Sequence, residues 1–286
     1  MQLLPRTIAQ VIEPQPVVEG AGVRLKRSIA TRTLNYLDPF LLLDDFASPD
    51  PEDYIAGFPL HPHRGIETVT YVLSGEVHHK DTLGNSGSIG AGDLQWMTSG
   101  RGIMHEEMPQ VRPEGIAGFQ LWVNLPAKMK MTKPNYQDVR SSLIPVVIDT
   151  NGAKIRVVAG TVNKARGPIT QIAADPLYLD VLVPPQSRFE HPVARGHNAF
   201  AYVFEGKGKF ATGQQDEALL THPKLIIFND GDFVRVHTAA DPVRFLLVAG
   251  RPLHEPVARY GPFVMNTREE IEQALEDLRR GTFVTP

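Results

Sequence analysis

Hydrophobic positions in this chain recur mostly at a spacing of two, in short runs broken by glycine turns, which is the period of strands with one buried face. Residues 22–30, GVRLKRSIA, alternate in this way and predict a strand, with Lys26 and Arg27 at a sheet edge. Residues 38–46, DPFLLLDDF, are an apolar run closed by acids; it predicts a buried strand that ends at Asp44 and Asp45, with both carboxylates bonding the following turn. Ile66–Leu73 is rich in β-branched residues and predicts the next strand, Ser74-Gly75 turns the chain, and Glu76–Lys80 runs back. Leu94–Met97, Ile103–Met108 and Phe119–Asn124 follow, the first two each introduced by a glycine-rich turn. Only Thr267–Arg280 carries a clear helical signature. Thr267 and Glu270 make a capping box, Ile271, Ala274, Leu275 and Leu278 form one stripe, and Gly281 sits where a C-cap belongs.

Many short antiparallel strands joined by turns predict an all-β sandwich or jelly roll. The second half repeats the first in outline at an offset of roughly 130 residues: Tyr202–Gly206 echoes Tyr71–Gly75, Gly231-Asp232 echoes Gly92-Asp93, and Arg244–Leu253 echoes Gly118–Ala127. Two copies of one domain are expected, over residues 1–130 and 131–286. Ala127–Tyr136 has no clear period and reads as an exposed linker or lid between them.

Composition narrows the chemistry. The absence of cysteine excludes disulfides, thiolate nucleophiles, zinc ribbons and iron–sulfur clusters. A formal charge of −3 offers no global attraction for nucleic acid or an anionic membrane. No apolar run approaches a membrane span, and MQLLPRTIAQ lacks the apolar core of a secretory signal, so a cytoplasmic protein is expected.

The residues that could do chemistry gather between Gly57 and Pro109. His61 and His63 are two apart, and so are His105 and Glu107, so each pair shares one strand face. Two such strands side by side would aim three imidazoles and one carboxylate at one spot. Such a set suits iron, manganese, nickel, copper or zinc and leaves coordination positions open, as catalytic sites do. Glu106 has the opposite parity and should point away. In the second half His191 and His197 are six apart and His237 has no partner glutamate behind it. One metal site is therefore expected, in the first domain, with these three histidines on the surface or in hydrogen-bonded turns.

Residues 38–46, GFPLHPHRGIETVTYVLSG at 57–75, GDLQWMTSGRGIMHEEMP at 92–109, QLWVNLP at 120–126 and GPFVMNT at 261–267 closely resemble the pirin family of the cupin superfamily. The resemblance implies a bicupin, two jelly-roll β-barrels face to face, with a short C-terminal helix and one metal in the N-terminal barrel. The family's ligands fall on His61, His63, His105 and Glu107. The general cupin pattern H-x-H-x-x-x-E would instead nominate Glu67, which shares the parity of His63; pirins use the later glutamate, leaving Glu67 a supporting or packing role. The metal implied is divalent, iron(II) first, with Mn, Co, Ni, Cu or Zn as alternatives.

Some pirins resemble quercetin 2,3-dioxygenases, which open a flavonol ring with molecular oxygen and release carbon monoxide. Others are iron-binding regulators of transcription factors. The implied function is thus a dioxygenase with Glu107 as general base, and the alternative is a metal- or redox-sensing protein-interaction regulator without turnover. The implied partners are a phenolic substrate and oxygen, with a protein partner in the alternative, and neither nucleic acid nor membrane. Phe58, Phe119 and Trp122 are candidate cavity walls, with core packing favoured for Phe119 and Trp122; Trp96 is expected in the core. The basic cluster Arg24, Lys26 and Arg27 is a candidate partner surface.

Overall fold

The alternating segments form strands, and the computed structural model describes them over residues 3–170, 172–213 and 215–284. Contacts divide the chain into two compact units, Gln15–Ser141 with Leu253–Pro286, and Met1–Pro14 with Ser142–Pro252. Each unit thus takes one end of the chain from the other half, unlike the contiguous division at residue 130. Side-chain anchors account for the exchange. Buried Arg6 donates to the carbonyls of Ala194 and His197 and pairs with Asp230 at 2.9 Å, while Ile8–Ile12 adds a strand beside Lys224–Phe228. At the other end, Arg64 pairs with Asp277 at 2.6 Å and lies 4.5 Å over the Phe283 ring, docking the C-terminal helix.

The first unit contains a seven-stranded sheet, in the order Asn135–Val139, Leu94–Thr98, Ile66–Ser74, Ala117–Asn124, Phe40–Asp45, Val23–Ile29, Gln15–Glu19. A four-stranded sheet accompanies it, in the order Phe58–His63, Ile103–Pro109, Val77–Asp81, Ser86–Ile89. All pairings within these two sheets are antiparallel. Val23–Ile29 is internal, because Gln15–Glu19 covers its outer side. The expected edge position of Lys26 and Arg27 therefore does not hold, and alternation splits the basic cluster. Arg24 and Lys26 are exposed, whereas Arg27 turns inward with Val23 and Leu25.

Asp44 does not bond a turn either. Arg27 Nε and Nη2 each donate to it at 2.7 Å, a bidentate pair. Nor is Ala127–Tyr136 an exposed linker or lid throughout. Lys130 is 1% exposed, and its Nζ donates to Gly65 O, Asn124 Oδ1 and Val264 O at 2.7–2.9 Å. Tyr136 belongs to a strand of the seven-stranded sheet.

The helix Arg268–Arg280 has the expected capping box and ends at left-handed Gly281, φ 71°. Its buried Ile271 and Ala274 pack with Phe263, Met265 and Phe283. No helix among the described residues is long and apolar enough to cross a membrane.

The second unit has a ten-stranded sheet system and a core packed around Phe189, Phe210 and Phe245. Phe245 meets the other two rings near-perpendicularly at 5.7 and 5.8 Å. Its strand pair Arg188–Pro192 and Phe233–His237 repeats the pairing of Phe58–His63 with Ile103–Pro109. Gly231-Asp232 thus precedes the counterpart of the His105 strand, one strand later than the sequence echo with Gly92-Asp93 implies.

Register carries the comparison further. His63 faces Ile103 and His61 faces His105, while His191 faces Val234 and Phe189 faces Val236. His191 therefore corresponds to His63, and Phe189, Val236 and Thr238 take the places of His61, His105 and Glu107. Phe189 and Val236 belong to the apolar core there. His191 is buried, stacks on Phe189 and is lowered to about 4 by burial, so the expectation of a surface or turn position fails for it. His237 pairs with Glu217.

Candidate metal centre

Strand pairing brings the first unit's histidines together. Phe58–His63 runs antiparallel to Ile103–Pro109 with His61 opposite His105, so all three imidazoles meet on the inner face. Their ligand nitrogens lie within 4.8 Å of one another, the one such group among the described residues. His61 Nε2 and His63 Nε2 are 3.0 Å apart. His61 Nδ1 sits 2.9 Å from Pro59 O, and a carbonyl only accepts, so Nδ1 carries the proton and Nε2 presents its lone pair.

Burial has left these rings short of protein partners. Both ring nitrogens of His105 and Nδ1 of His63 are buried without a hydrogen bond. Buried polar atoms are nearly always satisfied, so a cluster of orphaned imidazole nitrogens fits a bound cation. Burial, followed by the neighbouring imidazoles, holds His63 and His105 well below the ordinary imidazole pKa. They are neutral at pH 7, the form that ligates metals.

Glu107 points to the same side, as its parity requires: His105 and Glu107 are buried, while Met104, Glu106 and Met108 are less so. Its carboxylate nevertheless stands outside the three-imidazole group. A register shift between His105 and Glu107 offsets it along the strand, and Thr70 Oγ1 lies 2.9 Å from its Oε1. The same hydroxyl is 2.7 Å from Gln120 Oε1, so its one proton serves either acceptor.

Glu67 does not share the site. Gly65, at φ 82°, interrupts the chain between His63 and Glu67, so parity is not carried across. Thr70 faces the cavity, and Glu67, three residues away, lies on the opposite face of Ile66–Ser74 beside Thr98, whose Oγ1 donates to it at 2.9 Å. Burial pushes Glu67 up to about 7 from 4.5, the Thr98 bond opposing the shift. A raised folded-state pKa means that the group's contribution to stability is fully present below about 4.5 and is lost as pH rises through 7. Glu67→Gln should therefore gain on wild type with pH, by on the order of 3 kcal/mol at most between pH 5 and 8. Urea midpoints at the two pH values would check this, and an equal gap at both would contradict it.

His61 and His63, with Glu107, line part of a cavity of about 350 Å³, near the lower bound of small-molecule sites at roughly 300–1,000 Å³. Its wall is mainly apolar, with Leu25, Leu42, Phe46, Tyr54, Phe58 and Trp122 among its residues. Trp122 meets His63 edge-on at 5.1 Å. Phe58 takes the wall position proposed for it, and Trp122 also lines the cavity, against the core packing favoured for it, whereas Phe119 and Trp96 are buried outside the cavity as expected.

Several neighbours escaped the sequence reading. His79 is paired across the strands with Glu107, and Asp81 with His105. Alternation in VHHKD, with residues 77, 79 and 81 buried, was the available signal. The Asp81 carboxylate is occupied by the backbone N–H groups of Leu83 and Asn85 and by the Asn85 side chain. Arg27, Asp44 and Arg259 also reach the cavity wall, from segments with no common motif.

The chain is similar in sequence and fold to known proteins. The pirin family model covers residues 22–123, and the model for the pirin C-terminal cupin domain covers residues 178–284. A pirin-like protein of Caulobacter vibrioides is 46% identical over 279 residues, 97% of this chain and 99% of the relative. Pirin of Homo sapiens is 42% identical over 264 residues, 91% of this chain and 88% of its own length. The crystal structure of quercetin 2,3-dioxygenase from Acinetobacter baumannii superposes with a TM-score of 0.86 at 34% identity, covering 98% of this chain and 99% of that one. The fold is a bicupin, all-β apart from its terminal helix and short turns. Matched in both halves, and by relatives spanning nearly its whole length, the chain belongs to the pirin family.

Proposed function

We propose that this protein is a metal-dependent dioxygenase that cleaves quercetin-like flavonols across the 2,3-bond with molecular oxygen and releases carbon monoxide. The observation that carries the reading is a cluster of three imidazoles, with unsatisfied nitrogens on buried His63 and His105, two of whose members, His61 and His63, line an apolar cavity. The likeness to the Acinetobacter baumannii quercetin 2,3-dioxygenase supports the choice of reaction.

His61, His63 and His105 would hold one divalent transition metal, iron(II) in the first instance, with Glu107 as the fourth ligand and the general base. A metal bound there supplies Lewis acidity, which lowers the pKa of a flavonol hydroxyl and makes the ring electron-rich. The protein's own residues do the rest. Glu107 accepts the hydroxyl proton, and the Thr70 hydroxyl, shared with Gln120, is placed to donate to Oε1. Phe58, Leu42 and Trp122 exclude water and present flat apolar surface to the substrate rings.

Glu107→Gln keeps the shape and removes the base. Oxygen uptake on quercetin should fall roughly 100-fold or more, in line with the worth of general-base catalysis. Metal-loaded variant and wild type, compared in an oxygen electrode, provide the test. Unchanged uptake would remove Glu107 from the mechanism.

A further inference from the structure

The cavity has a charged feature away from its imidazole end. Ala258–Tyr260 and Phe263–Met265 form a two-stranded ribbon, and the Gly261-Pro262 turn between them supplies part of the cavity wall. From this ribbon Arg259 places its guanidinium carbon 5.1 Å over the Trp122 ring. Trp122 in turn meets His63 edge-on, also at 5.1 Å, so imidazole, indole and guanidinium follow one another along a single wall. Arg259 Nη1 donates to Leu41 O at 3.1 Å, which anchors the side chain. The residue is exposed and also lines the cavity, which sets it where the cavity meets solvent.

The carboxylates that attract it, Asp44 and Glu19, are both bonded to Arg27. Three carboxylates line the cavity, those of Glu19, Asp44 and Glu107. Arg27 holds Asp44 through Nε and Nη2 and Glu19 through Nη1, and Glu107 accepts from Thr70. Among the described residues Arg259 has no ion pair of its own. Desolvation, followed by repulsion from Arg27, lowers its pKa, and attraction from Asp44 and Glu19 opposes the shift. At the cavity mouth the guanidinium is reachable by an entering anion and is not tied up in an ion pair. Here the ligand can bring a partner, and a guanidinium is suited to a planar carboxylate.

We propose that Arg259 is the specificity-determining residue of this cavity, selecting phenolic ligands that carry a carboxylate on the side turned away from the histidines. The proposal rests on the reading of the cavity as a phenol site and adds which phenols it prefers.

The test is a binding measurement that needs no turnover. Metal-loaded wild type and Arg259→Gln are titrated without oxygen, by calorimetry, with catechol and with 3,4-dihydroxybenzoate, which differ by one carboxylate. Wild type should bind the carboxylate probe roughly tenfold more tightly than catechol, the worth of one charge-assisted hydrogen bond. Arg259→Gln should bring the two affinities within about twofold, and Arg259→Lys should retain part of the preference because it keeps the charge without the planar fork. Equal affinities in wild type, or a full preference surviving in Arg259→Gln, would overturn the proposal. Failure of the two readings is separable. A protein inert towards quercetin that keeps the preference loses only the dioxygenase reading, and one that turns quercetin over without it loses only the role of Arg259.

Discussion

Replacing His63 or His105 with alanine should strip the protein of metal while leaving both units folded. Losing a residue that only supports a ligand costs roughly 10–100-fold in metal affinity, so losing one of three clustered imidazoles should cost more than about 100-fold. The cost to folding should be small for a reason visible in the site. Both ring nitrogens of His105 are buried without a hydrogen bond, so the substitution breaks none and removes a desolvated polar ring. Metal-to-protein ratios after dialysis, read beside far-UV circular dichroism, would decide. Full occupancy in both variants would remove these histidines from the site.

The second large effect concerns stability. Lys130→Ala removes the one ammonium that ties three segments together, through Gly65 O, Asn124 Oδ1 and Val264 O. Burial pulls the Lys130 amine down to about 8, which still leaves it largely charged at pH 7. Hydrogen bonds from a charged donor contribute about 1.5–3 kcal/mol each, and truncation leaves all three acceptors without this donor, so the loss should be about 3 kcal/mol or more. Both tryptophans, Trp96 and Trp122, lie in this unit, so urea unfolding followed by tryptophan fluorescence reports on it directly. A clearly lower midpoint is expected, together with faster proteolysis of the 253–286 tail; an unchanged midpoint would show that the tail is held by other contacts.

Much of the site was legible because it is local. A spacing of two fixes which face a strand side chain takes, and His61, His63, His105, Glu107 and Glu106 all follow that rule. The terminal helix was equally plain, since cap, stripe and stop lie within fifteen residues of one another. What failed was non-local. Parity does not survive the turn at Gly65, so the pattern that would nominate Glu67 does not bring it to the metal ligands. Whether Val23–Ile29 lies at an edge depends on Gln15–Glu19 pairing beside it, which nothing in GVRLKRSIA encodes. Lys130 looked like a solvated lysine because its three acceptors come from positions 65, 124 and 264. Arg27, Asp44 and Arg259 meet at one cavity only through the tertiary fold.

The second unit shows how a shared architecture loses a site. Its equivalent strand pair keeps His191 and has Phe189, Val236 and Thr238 at the positions of His61, His105 and Glu107. The space that would surround a metal is filled instead by phenylalanine packing. The two units share fold and pairing but not the three-imidazole cluster, so the barrel alone does not specify a site.

The central claim is that a three-imidazole cluster beside an apolar cavity makes this pirin an oxygen-consuming enzyme. Its most direct test is oxygen uptake on adding quercetin to protein reconstituted in turn with iron, manganese, cobalt, nickel and copper, with His63→Ala treated identically. The account predicts rapid uptake with at least one metal and none above background in the variant. No uptake by wild-type protein verified to be metal-loaded would contradict it, and would favour a metal-sensing role without turnover.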